Sequence, residues 1–88
     1  MKLKPDFQIV QMADDYMLVP TGDQIDSFNG TVILNEVSAF ILNQLKEDLE
    51  KEDLVERLVM EFDVEYATAR EDVDDAIEKM KQIGILII

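Results

Sequence analysis

Residues 31–45 read Thr31-Val32-Ile33-Leu34-Asn35-Glu36-Val37-Ser38-Ala39-Phe40-Ile41-Leu42-Asn43-Gln44-Leu45, and this stretch decides the fold class. Thr31 to Leu34 is β-branched in three of its four positions, the composition of a strand. Asn35 follows at once, and asparagine is a good helix N-cap because its side chain accepts from an N–H of the first turn. From there Val37, Phe40, Ile41 and Leu45 recur at helical spacing through about residue 46. A strand hands over to a helix with no loop between them.

Upstream, the chain reads as strand. Phe7 and Ile9, and less cleanly Met12, alternate with Gln8 and Gln11, as in a half-buried strand. Ala13-Asp14-Asp15 is a hairpin turn. Tyr16 to Val19 is a second strand, stopped or placed at an edge by Pro20. Thr21-Gly22-Asp23 is a loop, and Ile25 to Phe28 could form a short strand. Asn29-Gly30 is a strong hairpin signal, since a type I′ turn needs positive φ at both central residues.

Downstream, the chain reads as helix. A second helix from about 51 to 62 carries the stripe Leu54, Val55, Leu58, Val59 and Phe62. A third, from about 66 to 83, carries Ala69, Val73, Ala76, Ile77, Met80 and Ile83. It begins acidic and ends basic, which suits the helix macrodipole, and Gly84 is a natural stop. Ile85 to Ile88 then has to be buried, because four exposed terminal apolar residues invite aggregation. Strands first and helices after define an α+β class: one domain over residues 1–88, with strands in 1–34, three helices in 35–84 and an apolar tail in 85–88.

Composition narrows the function. The 88 residues hold 20 acids, 8 bases and no histidine, for a net charge of −12, with 14 of the acids in residues 46–88. Phosphate backbones and anionic membrane surfaces repel such a chain, which argues against nucleic-acid and membrane partners. With no cysteine and no histidine there is no disulfide, thiolate nucleophile, imidazole base or zinc site. The opening MKLKPDFQIVQMADD lacks the apolar run of a signal peptide, and no stretch approaches the ~20 apolar residues that span a bilayer. A cytoplasmic setting is the expectation.

Counted from Asp72, a calcium-binding EF-hand loop would need glycine at Ile77 and glutamate at Ile83, so the acids of helix 3 read as a solvated face. Asp26-Ser27-Phe28 is similar to the phosphopantetheine site of acyl carrier proteins, but Ser27 precedes a hairpin signal rather than opening a helix. The close acid pairs fall in turns or on polar helix faces, without the desolvated cleft that acid–base chemistry needs. No catalytic residue, metal site or cofactor is assigned. One feature stands out. Thr31 to Leu34 carries no charge and no proline to blunt it, so as an edge strand it is either covered or a template for another strand.

The same stretch resembles the PqqD-like family of small peptide chaperones, also described as RiPP precursor-peptide recognition elements. The resemblance rests on Leu34-Asn35-Glu36-Val37-Ser38-Ala39-Phe40-Ile41-Leu42, on Asp53-Leu54-Val55-Glu56-Arg57-Leu58 running into Glu61-Phe62-Asp63-Val64, and on Arg70-Glu71-Asp72-Val73 followed by Met80-Lys81-Gln82-Ile83-Gly84-Ile85-Leu86. Residues 20–30 are longer than the compact Pro-Glu-Gly turn of the PqqD proteins proper, and Glu50 or Lys51 stands where a Thr or Ser usually caps the second helix. Both departures favour the broad family over the cofactor-pathway protein.

The resemblance implies a winged-helix-like domain, a three-stranded antiparallel sheet packed on three helices, that binds the leader of a ribosomally made precursor peptide without catalysis. The leader would add as a strand along Thr31, Val32, Ile33 and Leu34, against a wall on helix 3 assigned to Arg70, Val73 and Ile77. The implied partner is a modifying enzyme such as a radical SAM protein. An interaction module offering the same edge to an enzyme subunit is the runner-up, an acyl carrier comes third, and a homodimer stays open. About four main-chain hydrogen bonds, each netting ~0.5–1.5 kcal/mol, roughly cancel the ~2–5 kcal/mol or more needed to order the leader. Micromolar affinity then calls for two or three apolar anchors in the leader, at ~1.5–3 kcal/mol each.

Overall fold

The computed structural model describes residues 1–22 and 32–88. The expected short strand at 25–28, the Asn29-Gly30 hairpin, Ser27 and Thr31 lie outside these residues. The described elements run β1 (Lys2–Leu3), β2 (Phe7–Met12), β3 (Asp15–Pro20), β4 (Val32–Leu34), α1 (Glu36–Gln44), α2 (Lys51–Phe62), α3 (Tyr66–Ile83) and β5 (Leu86–Ile87). The chain is α+β, with a three-stranded antiparallel sheet in the order β2-β3-β4. No described helix is long and apolar enough to cross a membrane.

β2 and β3 form a hairpin closed by Met12↔Asp15 around the two-residue turn Ala13-Asp14. Ala13 sits at φ 55°, in the left-handed region that an alanine Cβ disfavours. Ala13→Gly should therefore stabilise the fold by about 1 kcal/mol and raise the melting temperature by about 4 °C or more. A melt unchanged or lowered by this substitution would show that the turn conformation carries no strain.

The strand-to-helix handover at Asn35 is as expected. Its side chain accepts from the Ser38 N–H at 2.7 Å. α2 starts at Glu50, whose backbone N–H donates to the Asp53 carboxylate at 3.1 Å. α3 ends at Gly84 (φ 85°), whose N–H reaches the Lys81 and Met80 carbonyls. The helices enclose one core with the inner face of the sheet. Leu18, Leu42, Leu45, Leu54, Val55 and Leu58 are all buried, and Phe40 meets Phe62 edge to face at 5.4 Å between α1 and α2. At the start of α3, the Tyr66 hydroxyl donates to Glu52, which raises the phenol's pKa.

A second, two-stranded sheet was not foreseen. β1 pairs with β5 through Lys2↔Ile87 and Leu3↔Leu86. It is fixed to α1 by the Leu3 N–H bonding the Leu45 carbonyl at 2.8 Å. The tail is only partly buried, which corrects the expectation. Ile85 is sealed and Leu86 half-buried, but Ile87 is 44% exposed and Ile88 81%. Pairing with β1 satisfies the backbone of β5 without covering its outer side chains.

Candidate functional site: the β4 edge and the cleft beyond it

Among the described residues β4 is an end strand of its sheet, in register with β3 through Leu18↔Val32, Met17↔Ile33 and Tyr16↔Leu34. Its hydrogen-bonding parity follows from the hairpin. A two-residue turn makes the flanking pair Met12↔Asp15 a hydrogen-bonded one. The same parity returns at the far end of β3, where the Thr21 N–H donates to the Asp6 carbonyl at 2.7 Å. Odd-numbered residues of β3 thus bond toward β2, and Tyr16 and Leu18 bond toward β4. Val32 and Leu34 point their main-chain groups at β3, while Ile33 turns its N–H and C=O outward. The register, not the composition of the strand, determines this parity.

Side chains alternate with the same period. Leu34 is buried and Val32 half-buried on the core face, whereas Ile33 lies on the outer face and is 66% exposed. Directly past the C-terminal end of β4 opens a cleft of about 250 Å³. Asn35, Val37 and Ser38 form one wall, and Asp72, Asp75, Ala76 and Lys79 of α3 form the other. Neither Asp72 nor Asp75 joins an ion pair among the described residues, and residues 23–31 contain no lysine or arginine.

The residues assigned on α3 do not line this cleft. Val73 is fully buried in the core. Ile77 is nearly buried and borders a different cleft, between the start of α2 and the two chain ends. Arg70 turns toward α2 and pairs with Glu52 at 3.2 Å. They form the stripe i, i+3, i+7 that packs inward and toward α2. The cleft wall is the adjacent stripe Asp72, Asp75/Ala76, Lys79, which has the same period. The pattern identifies both stripes, but only the docking of α3 says which lines the cleft beside Asn35. No group of three or more His, Cys, Asp or Glu able to hold a metal ion occurs among the described residues.

The family model for coenzyme PQQ synthesis protein D (PqqD) matches residues 16–86. The chain belongs to the PqqD family. Its fold is similar to that of TbiB1, solved in complex with the TbiA(beta) leader peptide. The TM-score is 0.74 at 20% sequence identity, over 98% of this chain and 94% of that one. No curated protein matches the chain.

Proposed function

We propose that this protein is a non-catalytic adaptor that binds the leader of a ribosomally made precursor peptide by strand addition at β4 and presents it to a modifying enzyme, such as a radical SAM protein. The observation that carries the reading is Ile33. It sits at the centre of an uncharged, proline-free edge strand with its main-chain donor and acceptor turned outward, and a cleft opens past the end of that strand at Asn35. Membership of the PqqD family and the fold shared with a leader-binding protein support it. The test is calorimetric titration with synthetic leader peptides from precursors encoded beside the gene. Micromolar or tighter binding is expected; no binding by any of them would sink the proposal.

The charge adds a second expectation. A net −12, with unpaired Asp72 and Asp75 at the cleft, should speed the approach of a basic leader. Raising salt from about 10 mM to about 150 mM shortens the Debye length from roughly 30 to 8 Å. Association measured by stopped flow should slow by about tenfold, with dissociation changing much less. Equal association rates at both salts would leave the acidic surface a role in solubility alone.

A further inference from the structure

The parity of β4 also orders the side chains on the outer face of the sheet. On the outer face of the sheet the register lines up Val10↔Met17 and Met17↔Ile33 in one row across all three strands. Val10 and Met17 are half-buried, and Ile33 ends the row as the most exposed apolar side chain of this sheet. Among the described residues nothing pairs with this edge, and an isoleucine there, without the lysine or proline that blunts such edges, leaves the row unfinished. A strand added antiparallel to β4 places one residue directly opposite Ile33. Because the main-chain groups of Ile33 face outward, these two residues form a hydrogen-bonded pair. Their side chains then lie on the same face, with Cβ atoms about 4.5–5.5 Å apart. The residues flanking it in the added strand point to the other face.

Building on the proposed leader binding, we infer that the leader residue paired with Ile33 is a large apolar one, β-branched or aromatic, lying on the outer face of the sheet and completing the row Val10–Met17–Ile33. Part of the leader's specificity is thus read outside the cleft, at a position set by main-chain pairing. Ile33 is a specificity-determining residue as well as a backbone docking point.

Ile33→Thr tests this, since threonine keeps the β-branched shape and the main-chain bonds while removing most of the apolar surface. The probes are synthetic peptides spanning the leader encoded beside the gene, with each residue in turn replaced by serine and, in a parallel set, N-methylated. The variant should melt close to the parent. With the parental protein, serine at one apolar leader position should weaken binding roughly three- to tenfold. That loss should largely vanish against Ile33→Thr. The same position should be sensitive to N-methylation, and its immediate neighbours should not. Parental binding in which Ile33→Thr couples to no leader position, or couples to one that tolerates N-methylation, would overturn the inference and leave leader binding standing. Absence of binding by the parental protein would overturn both.

Discussion

Deleting Ile85–Ile88 should lower the melting temperature by about 20 °C or more, or abolish cooperative unfolding. Ile85 is completely buried, and its carbonyl accepts from the Lys4 N–H at 2.9 Å. Emptying such a site costs about 2–5 kcal/mol. Leu86 and the pairing of β5 with β1 go with it. Losing that pairing also frees Leu3, the buried residue of β1. Total stability for a domain of this size is about 5–15 kcal/mol, and each kcal/mol shifts the melt by about 4–8 °C. Deleting only Ile87–Ile88 removes exposed side chains and the Lys2↔Ile87 rung, so it should cost about 1 kcal/mol. The contrast between the two truncations, read by thermal circular dichroism, checks the packing. A full deletion that melts with the parent would place the core elsewhere.

The α+β order, the helix limits at 51–62 and 66–83, the Asn35 cap and the Gly84 stop were all readable because each rests on local chemistry: apolar period, capping side chains and a residue free to adopt positive φ. What escaped depends on tertiary placement. β1 is two residues long and exists only because β5 and the end of α1 are beside it. Ile87 and Ile88 read as core by composition, yet only Ile85 reaches the interior. The edge strand was legible from its missing charge and proline, but its parity was not. That needed the hairpin register, which passes from the Ala13-Asp14 turn through β3 to β4. Likewise α3 showed an apolar stripe in sequence, and the cleft lies on the stripe beside it.

That parity makes the effect of proline on β4 directional: Val32→Pro should unfold or severely destabilise the protein, and Ile33→Pro should fold and bind the leader more weakly. Val32 is paired with Leu18 in the interior ladder, so proline there removes an N–H pointing at β3 and forces its ring against that strand. The loss falls beside Leu18, which is wholly buried, so the carbonyl left unpaired costs about 1–3 kcal/mol and the clash of the ring adds to it. At Ile33 the N–H faces outward, the one orientation in which a sheet edge accepts proline. The fold should lose little, while the leader loses a main-chain bond of about 0.5–1.5 kcal/mol and meets the ring at the pairing position. Leader affinity should fall at least threefold to tenfold, and farther if the ring blocks approach. Circular dichroism reports the fold and calorimetry the binding. A folded Ile33→Pro that binds the leader with parental affinity would exclude strand addition at β4. The reverse pattern, with Val32→Pro folded and Ile33→Pro unfolded, would mean the ladder runs with the opposite parity.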